Sequence, residues 1–249
     1  MGFESLMKKP SGQKVTDNKA SSSSRRVSDG VGAFLNQVAR TPVTKAPGTT
    51  GRLLFALDAT LSRQPTWDAA CHIQSEMFSE TATLGGLEVQ LGYFRGFNEF
   101  RVSPWAAESS TLLRYMTGIE CRGGHTQIKR LLRYALKETQ SKPINALVYI
   151  GDSFEENVDE VCQLAGEMGL RGVRTFMFHE GRDQGAVQAF REIARLTGGA
   201  YCRFDAGAAK VLKELISAVA IYAAGGRAAL EDFGKKRGGD VLAITKQIR

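Results

Sequence analysis

Short apolar runs that recur between helical stripes constrain this chain more than any other feature. The runs are "RLLFALD" (52–58), "LEVQLGYF" (87–94), "FRVSPW" (100–105), "INALVYIGD" (144–152), "VRTFMFHE" (173–180) and "GAYCRFD" (199–205). Several are continuously apolar, as strands covered on both faces must be. Between them, Ile128, Leu131, Leu132, Ala135 and Leu136 recur at helical spacing, as do Val158, Val161, Cys162 and Ala165, and then Val187, Phe190, Ile193 and Ala194. A last stripe runs through Val211, Leu212, Leu215 and Val219. Strands alternating with helices predict βαβ units: a doubly wound, mostly parallel six-stranded α/β sheet with helices on both faces, Rossmann-like in outline. In "YFRGFNEFRV", Gly96 and Asn98 separate two strand-like runs, which predicts a hairpin and one antiparallel edge strand.

The net charge of +7 suggests a nucleic-acid binder only if it lies on the folded part. It does not. Residues 1–52 carry nine Lys/Arg against three Asp/Glu and residues 225–249 six against three, which leaves the middle with 18 against 20. The sequence divides accordingly into a basic, Ser-rich tail over 1–48, a domain over 49–224 and a basic C-terminal tail over 225–249. "SGQKVTDNKASSSSRR" has too little apolar surface to offset ordering and is expected to be disordered. Val31, Phe34, Leu35 and Val38 predict one short helix in the first tail, its stripe docked on the domain or on a partner. Cys71, Cys121, Cys162 and Cys202 are scattered and form no C-x-x-C pair, as expected of buried thiols in a reducing compartment. The first thirty residues lack an apolar h-region, and no stretch has the eighteen or so apolar residues of a membrane span. A cytoplasmic protein is expected.

In sheets of this kind ligands bind outside the carboxyl ends of the strands. Asp58 closes "LLFALD" and Asp152 closes "LVYIGD", while "CRGGHTQIKRLL" places two glycines before Thr126 and a helix over 127–140. With Thr60 and Ser62, this gives two carboxylates and three hydroxyls on one rim. Such oxygens suit a small hard cation that keeps part of its water shell, magnesium or manganese. Thr126 also has the residue type and place of a helix N-cap.

These residues resemble the von Willebrand factor A (VWA) domain over residues 52 to about 223. Its metal-ion-dependent adhesion site (MIDAS) combines D-x-S-x-S after the first strand with a distant Thr and then an Asp. Asp58, Ser62, Thr126 and Asp152 match in order, and Thr60 stands at the first Ser, keeping the hydroxyl and adding a methyl. A second departure is "IGDS", where many relatives have Thr-Asp-Gly. The resemblance implies hydroxyl ligands from Thr60, Ser62 and Thr126, with Asp58 and Asp152 acting mostly through bound water. It further implies a non-enzymatic module that captures an acidic side chain of a partner protein through the metal, with Arg95, Trp105, Arg122 and His125 as a partner-facing rim. A VWA scaffold with a degenerate, metal-free site is one alternative. Another is an enzyme, because "LLFALDAT" and "VYIGDSFEE" also resemble haloacid dehalogenase-like phosphohydrolases. There Asp58 is the nucleophile, and Asp152 with Glu155 or Glu156 holds magnesium. Against it, Thr60 replaces the usual general acid. No specific nucleic acid is implied.

Overall fold

The computed structural model describes residues 32–34, 36–38, 40, 49–205 and 209–236. Val31 and Leu35, the expected disorder in the N-terminal tail and the basic residues after 236 lie outside these. Six strands form one sheet: β1 (Gly51–Asp58), β2 (Leu87–Arg95), β3 (Glu99–Val102), β4 (Ala146–Gly151), β5 (Arg174–Glu180) and β6 (Ala200–Phe204). Their order is β3-β2-β1-β4-β5-β6. All neighbours run parallel except β3, which returns antiparallel beside β2. The turn between them is made at Gly96, whose φ of 60° lies in the left-handed region that glycine enters without cost. The fold class predicted from the sequence is the one observed.

The helices are α1 (Gln64–Thr81), α2 (Ser109–Thr117), α3 (Ile128–Ser141), α4 (Val158–Leu170), α5 (Gln184–Thr197) and α6 (Ala209–Lys236). Alternation along the central strands divides the core in two, because successive strand residues point to opposite faces. Leu53, Phe55 and Leu57 of β1 with Val148 and Ile150 of β4 pack against Trp67 and Met77 of α1, Leu112 of α2 and Leu215 and Val219 of α6. Leu54 and Ala56 with Leu147 and Tyr149 pack on the other face against Leu132 of α3, Val161 of α4 and Phe190 of α5. Side chains start the helices where the sequence supplies them: Asn157 accepts from the Glu160 amide at 3.1 Å and Asp183 from the Ala186 amide at 2.5 Å.

Described residues on both flanks also pack on the domain. The described residues of 32–40 are helical, with Phe34 and Val38 buried. The Phe34 ring lies edge-on to Phe176 and Phe178 of β5, at centroid distances of 6.1 and 5.2 Å. At the other flank α6 continues beyond residue 224 across a break at Gly226 (φ 69°, ψ −163°), and Leu230 is buried.

Candidate metal centre

From β1 the chain passes to β2 on one side, while β4 lies on the other, so the crevice between the ends of β1 and β4 is the switch point of the sheet. Asp58 is the last residue of β1 and only 1% exposed. Its Oδ1 accepts the Thr60 amide at 2.8 Å. Its Oδ2 is buried and has no hydrogen-bond partner. The Thr60 and Ser62 hydroxyls lie 3.3 Å apart, and Ser62 donates to Asp152 Oδ2 at 2.9 Å. Burial pushes the Asp58 carboxyl up to about 7, reinforced by nearby Asp152 and opposed by its Thr60 bonds and by Arg63. Such a group gives up its proton far less readily than an exposed aspartate, and a cation beside it favours the ionised form.

Thr126 arrives on a loop that the two glycines bring close. A Cβ on Gly124 would stand 2.1 Å from the Gly96 carbonyl oxygen, so only glycine allows this approach, and the His125 amide donates to that same oxygen at 3.2 Å. The Arg122 amide donates to the Ala59 carbonyl at 2.9 Å, tying the loop to the end of β1. The buried Thr126 hydroxyl accepts the Glu155 amide at 3.1 Å, three residues beyond Asp152. Thr60, Ser62 and Asp152 are therefore in direct contact, Asp58 joins them through the Thr60 backbone, and Thr126 is bonded to the loop that carries Asp152.

Thr126 is not the cap of α3. The cap position belongs to Gln127, and the Glu156 carboxylate accepts the Ile128 and Lys129 amides at 2.5 and 2.9 Å. Two expected rim residues are also displaced. Trp105 stands at the other end of the sheet because β3 runs antiparallel and carries the chain away from the crevice. There it lies under the Arg52 guanidinium at 3.8 Å and donates to Glu138. Arg95 has a side chain only 13% exposed, paired with Glu99 and donating to the Glu120 carbonyl, so it braces the hairpin and the following loop. Arg122 and His125 do reach the surface, at 61% and 60% side-chain exposure. His125 bonds Glu155 at 2.8 Å and packs on Phe97 at 5.1 Å.

Beneath the crevice lies a polar network that sequence reasoning passed over. Arg63, buried, sits 3.3 Å from Asp152 and pairs with the buried Glu180 at the end of β5, which also accepts from the Thr66 hydroxyl. A signal existed: Glu180 closes "FMFHE" as Asp58 closes "LLFALD", a third carboxylate at a strand end. His179, fully buried, bonds the Asp152 carbonyl at 3.2 Å and the Tyr201 hydroxyl at 3.0 Å, and burial lowers its affinity for a proton. The Tyr149 hydroxyl, also buried nearby, has no hydrogen-bond partner.

Among the described residues no group of three or more His, Cys, Asp or Glu converges as a metal cluster, so a cation here depends on the hydroxyls. That donor set is hard oxygen throughout, and the unpartnered Oδ2 of Asp58 is the atom a cation or its bound water would satisfy. The local charges also fit. Among the described residues Asp58, Asp152 and Glu180 face one cation, Arg63, leaving two negative charges when all three carboxyls are ionised. The phosphohydrolase ligand set does not assemble in the same way, since Glu156 caps α3 and Glu155 is held by His125 and the Thr126 amide.

No family model and no curated protein matches the sequence. Solved structures do match in fold. The SpRpn10 VWA domain aligns with a TM-score of 0.52 and 16% identity, over 68% of this chain and 94% of that domain. The PilB minor pilin from Streptococcus sanguinis aligns at 0.54 and 12%, over 76% of this chain and 63% of the pilin. Proximal thread matrix protein 1 from the mussel byssus, solved with a zinc-occupied MIDAS motif, aligns at 0.54 and 10%, over 69% of this chain and 46% of that one. The chain thus spans nearly all of the first but less than two thirds of the other two. Identities this low speak for backbone architecture alone: this chain has the von Willebrand factor A fold.

Proposed function

We propose that this chain is a protein-interaction module that binds a divalent cation, magnesium or manganese, at Asp58, Thr60, Ser62, Thr126 and Asp152, and through it an acidic side chain of a partner. The carrying observation is the buried, unpartnered Oδ2 of Asp58 beside the contiguous hydroxyls of Thr60 and Ser62. Burying a carboxylate with one oxygen unpartnered costs free energy, and a cation at that oxygen would offset it. The zinc-occupied MIDAS of the mussel protein supports a divalent site on this fold. Bound there, the cation supplies an open coordination position for an external carboxylate. Arg63 holds Asp152 from below, and Arg122 and His125 border the approach.

We infer a role without catalysis. Near the crevice, His179 is buried against Tyr201 and His125 is engaged with Glu155, so neither is positioned to activate Ser62 or Thr60. The four cysteines are free, two buried and two half-buried, which supports residence in a reducing compartment such as the cytoplasm. Among the described residues no helix is long and apolar enough to cross a membrane.

Calorimetric melting tests the reading. Magnesium at about 100 times its dissociation constant should stabilise the fold by roughly 2.7 kcal/mol, and chelator should remove the gain. An unchanged melting point in both conditions contradicts it.

A further inference from the structure

Beside Thr126 the surface opens into a cavity of about 280 Å³ lined by Phe97, Asn98, Thr126, Gln127, Lys129, Arg130, Arg133 and Glu156. Lys129, Arg130 and Arg133 fall on one face of α3, because residues three and four apart are helical neighbours. The local acids are already engaged: Glu156 accepts two backbone amides and Glu160 pairs with Lys129. Arg130 donates to the Asn98 carbonyl and side chain, while exposed Arg133 makes no hydrogen bond or ion pair among the described residues. Phe97, 78% exposed, forms an apolar wall next to this positive charge.

Thr126 belongs to both the cavity and the candidate metal centre. This continuity, with the charge of the cavity, fixes the chemistry of an occupant. We infer that the cavity receives a second carboxylate of the same partner segment, so the segment recognised is acidic at two positions and not one. The inference rests on the metal-centre reading for its first anchor. Arg133 lies five residues beyond Ile128, where α3 begins beside Thr126, or about 7.5 Å along the helix at 1.5 Å per residue. In an extended segment, side chains two residues apart on one face are separated by roughly 7 Å. Two acids spaced i and i+2 therefore span the two anchors, with the guanidinium of Arg133 meeting the second carboxylate.

The test is a nuclear magnetic resonance titration of the full chain with three synthetic ten-residue peptides, in magnesium and again in chelator. The first carries Asp at i and i+2, the second has Asn at i+2, and the third has phosphoserine at i+2. With magnesium, the two-Asp peptide should bind about fivefold tighter than the one-Asp peptide, the scale of an exposed charge pair. Arg133→Gln should erase that difference while leaving the affinity for magnesium, measured separately, unchanged. Equal binding of the two peptides, a difference that survives Arg133→Gln, or no binding of either overturns the inference. Tighter, Arg133-dependent binding of the phosphoserine peptide overturns the occupant named here. If the Arg133-dependent gain persists in chelator, the cavity assignment stands and the metal-centre reading fails.

Discussion

Asp58 concentrates the conflict between folding and function. Its carboxyl is pushed up to about 7 in the folded chain and returns to about 3.8 when unfolded, so between those values the folded state binds the extra proton. Without metal, stability should therefore fall as pH rises from about 4 to about 7 and level off above. Asp58→Asn keeps the acceptor for the Thr60 amide and removes the charge. In chelator at pH 8 it should melt above the unsubstituted protein, and its pH slope over this window should be shallower. Metal affinity should move the opposite way, rising with pH as the proton leaves Asp58, and a calorimetric pH series reads this directly. Ser62→Ala, at an exposed position, should change metal-free stability by less than about 0.5 kcal/mol while weakening the metal response. Arg63 and Glu180 belong to the same scale. Glu180→Gln breaks a buried ion pair and leaves the Arg63 guanidinium with Asp152, at 3.3 Å, as its remaining carboxylate; it should cost about 3 to 5 kcal/mol in urea melts.

At the scale of elements, the central strands were legible because several are continuous apolar runs, and the hairpin because Gly96 and Asn98 separate two strand-like runs. The strand-end carboxylates Asp58 and Asp152 followed from this. Direction was harder to carry forward: Trp105 follows β3 closely in sequence, yet the antiparallel turn places it at the opposite end of the sheet from Asp58. The cap of α3 could not be read locally either. Glu156 reaches it from 28 residues away, and a long-range cap leaves no signature at Thr126. The described helical residues of 32–40 show the same limit. The stripe was visible, but only the structure shows that Phe34 and Val38 are buried and that the Phe34 ring packs on β5. Phe34→Ala should thus cost about 3 to 5 kcal/mol, seen as a lower unfolding midpoint. An unchanged midpoint means that this segment is not part of the folded core.

In the whole molecule a six-stranded sheet lies under a small polar crevice, onto which the loops after β1 and β4 and before α3 bring their oxygens. The central claim is that these oxygens form one cation site. The most direct measurement replaces magnesium with paramagnetic manganese and follows amide resonances of the full chain. Broadening should begin at residues 58–62, 126 and 152–153 at substoichiometric manganese, be reversed by excess magnesium, and be absent in Ser62→Ala at the same concentration. Broadening centred elsewhere, or none while manganese is in excess, contradicts the claim.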